Sequence, residues 1–304
     1  TDPKDMNGVS CVAESRDGGA TWTKPDLGLV KRPDWPANNV IATTDGEPRF
    51  SFPNAPWVDV RPGVPADERV KLVQSVPAVG DEKHDAINYN NGLKRLVFYG
   101  SGDGFAFRKL EPQPDFVCEL KNAFDGNTTM FWSKAEQQYV VYFRWYEGKM
   151  REEMAGQPTG GGGWRTIARS TSKDLMTWTT PVPMTYGDSP RDHIYVNNTQ
   201  PYFRAPHLYV APAARFMELR RAISRERAEA IGMLVKKIGW LEYDWSGECS
   251  DGVLLTSRAG STVYDRTFME TFIRPGLGYG HWTSRTNYPL TGILPAGPDQ
   301  IQMF

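Results

Sequence analysis

Charge of one sign is the first thing this sequence lacks. Its 304 residues carry 35 Lys and Arg against 36 Asp and Glu, a formal net charge of -1 with a pI near 6.4. Without a basic excess there is no electrostatic footprint for a nucleic-acid partner. No run of about 18 apolar residues occurs either, so no membrane span is expected. Cysteine is scarce: Cys11, Cys118 and Cys249 lack metal-ligand spacing, leave at least one thiol unpaired and read as buried structural residues. The four histidines, His84, His193, His207 and His281, never share ligand spacing on one element, so no metal is expected. A glycine run at 160–163 has no following Lys and hydroxyl, which excludes a phosphate loop and leaves a surface loop. Thr1 opens no charged-then-apolar leader. Asn127-Thr-Thr129 and Asn197-Asn-Thr199 match glycosylation acceptors, a three-residue pattern common enough by chance to carry no weight.

What is present is turn and aromatic content. Ten Trp, 23 Pro and 12% aromatics suit many short strands joined by tight turns, and no Pro/Gly/Ser linker divides the chain, so residues 1–304 read as one repeat-built, all-β domain. Residues 13–25, A-E-S-R-D-G-G-A-T-W-T-K-P, are the unit of construction. Asp17 is expected to accept backbone N–H bonds across a Gly-rich turn, with Trp22 closing the loop on the adjoining strand. Copies begin at Ser101 (with Asp103 and Phe107) and Ser172 (with Asp174 and Trp178), and a decayed one runs from Ser257 to Gly260. Each follows a short apolar run, so each should sit where a hairpin turns back. Their wide spacing suits sheets repeated around an axis rather than a solenoid.

The chain between these turns reads mostly as strands. Residues 69–73 alternate as a half-buried strand paired with 94–99; residues 124–132 and 138–144 form a hairpin with a polar tip at 133–137; residues 164–170 deliver the third turn. Residues 216–238 place Phe216, Leu219, Ile223, Ala230, Leu234 and Ile238 near helical spacing, predicting one inserted surface helix with ion-paired Arg and Glu on its outer face. Because a ring of sheets leaves exposed edges, residues 9–13 are expected to pair with C-terminal strands or to be covered by a second chain, so a homo-oligomer is a possible partner arrangement.

Taken together, S-x-D-G followed by K-P-D-L-G-L-V, then N-N-V-I, P-N-A-P, E-R-V-K-L-V, F-D-G-N, Y-V-V-Y-F-R, A-P-H-L-Y, D-G-V-L-L-T-S-R and F-I-R-P-G resemble bacterial proteins of the arabinanase, levansucrase and invertase superfamily, which includes glycoside hydrolase families 32 and 43. The likeness runs over residues 12–299. It implies a five-bladed β-propeller whose innermost strands aim carboxylates at a central sugar-sized pocket, a carbohydrate as substrate or ligand, no cofactor beyond the room an axis offers a lone cation, and a secreted or periplasmic location. Such hydrolases set one carboxylate near the anomeric carbon and a protonated one at the leaving oxygen.

On that resemblance Asp125, opening the 124–132 strand, is the expected general acid, with His207 or Asp192 as further catalytic candidates. Arg144, Trp132, Tyr202, Arg204 and Glu248 are the expected substrate-binding residues. Each has a plainer reading: Asp125 bonded into a turn, His207 a satisfied core histidine, Arg144 a surface ion-pair partner. The sequence departs from the family where Phe52 precedes Pro-Asn-Ala-Pro and where the first acid has no counterpart. Two other functions therefore stay open. One is a non-catalytic carbohydrate-binding or scaffold propeller. The other is a sialidase-like propeller, whose Asp-box spacing Ser15, Asp17, Gly19 and Trp22 match while its arginine trio and Tyr/Glu pair are not found.

Overall fold

A computed structural model describes residues 9–43, 56–77, 94–114, 116–118, 123–124, 126–148, 163–217, 224–232, 249–266, 268–276 and 286–304. Asp125, Glu248 and Phe52 lie outside the described residues. Among the described residues nearly all regular structure is β, in several sheets, none of them closed on itself.

The first sheet takes β1 (Ala42–Thr43), β2 (Trp57–Val58), β3 (Val70–Pro77), β4 (Lys94–Ser101), β5 (Ala106–Lys109) and β6 (Val117–Cys118), in the order β1-β5-β4-β3-β2 with β6 on β4. The second is an antiparallel meander of β7 (Thr129–Ser133), β8 (Gln138–Glu147), β9 (Trp164–Ser172) and β10 (Val182–Pro183). In the third, β11 (His193–Asn197) and β12 (Gln200–Tyr202) lie end to end along β13 (Ala205–Met217), whose other edge pairs with β14 (Cys249–Arg258). Helix α1 (Arg225–Ala230) lies between these last two strands in sequence, and β15 (Ile293–Pro295) pairs with β16 (Ile301–Met303).

Period-two alternation on β8 explains how the sheets stack. Tyr139, Val141 and Phe143 pack with Val73, Leu96, Phe98 and Phe116 of the first sheet region, while Val140 and Tyr142 pack with Ile194, Tyr209, Ala211 and Val253 of the third. The second sheet is therefore buried on both faces, which is why its strands read as continuous apolar runs. Each such side chain contributes on the order of 1.5–3 kcal/mol of burial.

Three of the copied turns share one geometry. Ser15, Ser101 and Ser172 each donate Oγ–H to the Asp two residues on, at 2.8, 2.8 and 3.0 Å. Each Asp then accepts backbone N–H groups: Thr21 on Asp17 (2.9 Å), Phe105 and Ala106 on Asp103 (2.8 and 3.1 Å), Met176 and Thr177 on Asp174 (2.8 and 2.8 Å). The second and third copies turn the third strand of a meander (β4, β9) into the fourth (β5, β10), and the decayed copy follows β14 in the same place, keeping Gly260 at φ +80 without the Asp clamp. The closing aromatics differ. Phe107 is buried and Trp178 stacks on Phe116 at 5.0 Å, but Trp22 is 55% exposed, so the first loop closes by Trp22 Nε1–H donating to the Gly19 carbonyl (3.0 Å) rather than by packing.

Four other expectations change. Residues 9–13 pair with 39–41, Val12 N–H donating to the Asn39 carbonyl (2.9 Å) and Ile41 N–H to that of Ser10 (3.0 Å). A partner nearer in sequence closes a shorter loop, and the C-terminal β16 instead reaches the first turn through Gln302 Nε2 on the Gly18 carbonyl (2.7 Å). The helix starts only after Ser224, whose hydroxyl caps Arg227 N–H; Phe216 belongs to β13, paired with Ser250, because strand pairing overrides its helical spacing. Strand β3 is buried on both faces, since Lys71 is neutralised by Asp59 (3.6 Å) and Glu68 (3.5 Å). Of the cysteines, Cys118 is buried, Cys249 half-buried and Cys11 exposed.

Candidate functional site

Antiparallel register sorts the polar residues to two ends of the sheets. Ser172, where β9 ends, marks the turn end of the second sheet, and Trp164, where β9 begins opposite Glu147 of β8, marks the other. In the third sheet Leu208 pairs with Arg258 at the turn end, while Met217 pairs with Cys249 at the opposite end. Arg144, Arg165, Asp192, Tyr195, Arg215 and Asp251 all belong to that opposite end, where β7 and β11 begin.

Arg144 is its centre. The side chain is buried, donates through Nη1 to the Tyr146 hydroxyl (3.2 Å) and through Nη2 to the Tyr195 carbonyl, and lies over the Tyr195 ring at 4.5 Å. Arg165 lies over the same ring at 5.5 Å and over Phe216 at 5.4 Å, and Tyr288 stacks on Tyr195 at 5.5 Å. Cation–π contacts of this kind hold two guanidinium groups beside an aromatic surface.

Next to it, Asn127 joins three parts of the chain. Its Nδ2 donates to Asn198 Oδ1, between β11 and β12, and to Thr291 Oγ1 (3.2 Å), just before β15; Thr291 in turn donates to Asn198 Oδ1 (2.8 Å). With its amide hydrogens used this way, Asn127 Oδ1 is buried without a partner among the described residues, as is Thr129 Oγ1. A buried acceptor left open costs about 1–3 kcal/mol, so each calls for a partner, an ordered water or a ligand among them.

Beside this cluster runs a network of ion pairs. Arg215 holds Asp251 through Nε (3.0 Å) and Nη2 (2.6 Å) and approaches Asp192 (3.5 Å), which also accepts from Arg266 (3.0 Å). Asp251 further accepts from Thr271 Oγ1. Hydrogen bonding to Asp251 raises the Arg215 pKa against the opposing effect of burial. Both Asp251 oxygens are thereby committed, which makes this carboxylate a structural anchor.

The expected site residues thus separate. Arg144 and Asp192 come to the end described above. Trp132 is a core residue, edge-on to Tyr139 at 4.9 Å. Tyr202, Arg204 and His207 lie at the turn end: Tyr202 packs on Phe203 at 5.0 Å, Arg204 donates to the Gly297 carbonyl (3.1 Å), and His207 is exposed. Eight residues of β13 separate His207 from Arg215, roughly 26 Å at strand rise. Sequence reasoning missed Asn127, Arg165, Tyr195 and Asn198; the signal available was the position of Asn127 and Arg165 at the heads of β7 and β9, and of Tyr195 and Asn198 within and just past β11.

No family model matches the chain, and no curated protein does. Among solved structures it is similar to an N-acetylgalactosamine deacetylase from F. plautii in complex with blood group B trisaccharide, at 12% identity and a TM-score of 0.40 over 84% of this chain, which spans 66% of the deacetylase's length. It is also similar to a candidate glycoside hydrolase from Parabacteroides distasonis, at 12% identity and a TM-score of 0.33 over 80% of this chain and 79% of that one.

Proposed function

We propose that this chain is a five-bladed propeller that binds carbohydrate at the strand-head end of its sheets and hydrolyses a glycosidic bond there, with Asp125 as general acid. The observation that carries the reading is the convergence of Asn127, Asn198 and Thr291, with Asn127 Oδ1 buried and open. A ligand rich in hydroxyls supplies the missing donors, and open amide and hydroxyl groups beside aromatic rings are the chemistry that recognises sugars. Tyr195 and Tyr288 offer the ring surface; Arg144 orients hydroxyl oxygens. Asp125 stands two residues before Asn127 in the sequence. In the proposed role it protonates the leaving oxygen, which requires a pKa raised by a partly dry site.

A second reading, a propeller that binds sugar without cleaving it, is favoured by one observation: Asp192 and Asp251 at this end are tied to arginines. Incubation with a panel of oligosaccharides, read by calorimetry for binding and by chromatography for products, separates the two. The hydrolase reading expects turnover that Asp125→Asn removes while binding survives, and binding that Asn127→Ala weakens. Binding by the wild-type chain with no products establishes the second reading in its place. Undiminished turnover in Asp125→Asn, or no binding to any glycan, overturns the proposal.

A further inference from the structure

A separate cleft opens between the second and third sheets. Its inner part, a cavity of about 260 Å³, is lined by Trp164, Thr166, Tyr186, Arg191, Asp192 and Arg266 among others, and its outer part, about 570 Å³, shares Tyr186, Arg266 and the 187–190 loop. The floor is aromatic: Tyr186 stacks on Tyr264 at 5.8 Å and its hydroxyl lies 2.9 Å from Thr166 Oγ1. Arg266 is 3% exposed. Its Nη2 donates to Asp192 and its Nη1 to the Pro190 carbonyl (3.4 Å), yet its buried Nε–H has no partner among the described residues. An unpaired donor on a buried guanidinium costs more than a neutral one and calls for an acceptor from within the cleft.

We propose that this cleft is a second ligand site, distinct from the Asn127 cluster, that takes the vicinal diol of a single neutral sugar ring. One hydroxyl oxygen accepts from Arg266 Nε–H, and its neighbour donates to Asp192, whose Oδ2 already serves the arginines and whose Oδ1 is left to accept. A diol meets an Arg–Asp pair on both sides because each hydroxyl both accepts and donates. A carboxylate fits less well, since it accepts only and would face Asp192 and Glu147, both lining the inner cavity. The inner volume is just under the roughly 300–1,000 Å³ typical of small-molecule sites, which limits the occupant to about one ring. Arg165 lines this cavity while its guanidinium lies over Tyr195, so one residue borders both sites.

The test uses the full chain and the methyl pyranosides of glucose, galactose, mannose and xylose, each against its 2,3-di-O-methyl ether, titrated by calorimetry and soaked into crystals. The expected result is saturable binding of at least one parent glycoside, loss of binding in its ether, and density for the ring in the cleft. Arg266→Lys, which keeps a cation beside Asp192 but has no Nε–H, should weaken binding at least tenfold. The crystal soak of the wild-type chain stands even if Arg266→Lys does not fold. Density only at the Asn127 cluster, equal binding of parent and ether, or a cleft that holds water alone at high glycoside concentration overturns the proposal, without bearing on hydrolysis by Asp125.

Discussion

Arg215 grips Asp251 with two nearly parallel bonds, Nε to Oδ1 at 3.0 Å and Nη2 to Oδ2 at 2.6 Å, across neighbouring strands β13 and β14 whose register sets the two residues directly opposite each other. The planar guanidinium fits this geometry where an ammonium does not. Because Asp251 is buried, removing Arg215 leaves a buried charge with only Thr271, among the described residues, to answer it. Arg215→Ala should therefore cost about 3–5 kcal/mol, and Arg215→Lys should recover part of that. Denaturant unfolding of the two variants checks the order; equal, small losses would show that the pair is peripheral to stability.

The turn aspartates predict an acid-labile fold. Hydrogen bonds from the Thr21 hydroxyl and N–H, with the Ser15 hydroxyl, hold Asp17 down at about 2. For Asp174 the N–H groups of Thr177 and Met176 lower the pKa; for Asp103 burial pushes up, but the N–H groups of Phe105 and Ala106 outweigh it. These are depressed carboxylates, so the stability they give is fully present above the unfolded value near 4 and is lost as the pH falls through the folded value. The unfolding midpoint should fall steadily from about pH 4 toward pH 2. The double variant Asp103→Asn, Asp174→Asn keeps the acceptor oxygens without the charge and should flatten that slope; an unchanged slope would assign the acid sensitivity elsewhere.

Two tryptophans at matching places in the repeat should behave differently. Trp22 and Trp178 each donate Nε1–H to a carbonyl three residues back, at 3.0 Å in both. Only Trp178 also stacks, on Phe116 at 5.0 Å and Phe98 at 6.1 Å. Trp178→Ala should cost about 3 kcal/mol through the gap it leaves, and Trp22→Ala about 1 kcal/mol or less. Thermal melts of the single variants decide it, and comparable losses would mean that the shared hydrogen bond, not packing, sets the energy.

How much of this was legible beforehand follows the range of the interactions. The Ser and Asp of each turn, the 133–137 hairpin tip and the strands that feed them depend on residues within about ten positions, and those readings stand. The 69–73 strand reads as half-buried because Asp59, which neutralises Lys71, comes from just past β2, and a Lys in an apolar run looks like a solvent face. Phe216 fits a helix by spacing, yet ten paired positions between β13 and β14 decide otherwise. At the site, Arg144 and Asp192 were named from local context. Asn127 and Asn198 were seen only as glycosylation patterns, since their meaning depends on a contact across 71 residues. His207 was grouped with them because sequence does not reveal which end of a strand a residue occupies.

Gly126 offers the sharpest separation of fold from site. Its φ is +94, and a Cβ there would lie 3.0 Å from Arg144 Nη2 and 3.5 Å from the Tyr195 carbonyl, closer to the guanidinium than ordinary packing allows. Gly18 has a similar φ of +75 with nothing within 4 Å. Alanine at either position pays the left-handed backbone strain, about 1 kcal/mol or somewhat more. Only at Gly126 must a neighbour also move, and that neighbour is the buried Arg144, which leans on Tyr195 and whose displacement disturbs the polar cluster around Asn127. Gly18→Ala should thus lower the melting temperature by a few degrees and leave glycan binding intact, while Gly126→Ala lowers it at least as much and weakens binding more than tenfold. Calorimetric titration of both variants with the best-bound oligosaccharide makes the comparison. Equal binding in the two would remove Arg144 from the recognition surface and leave Asn127 and the aromatic pair to carry it alone.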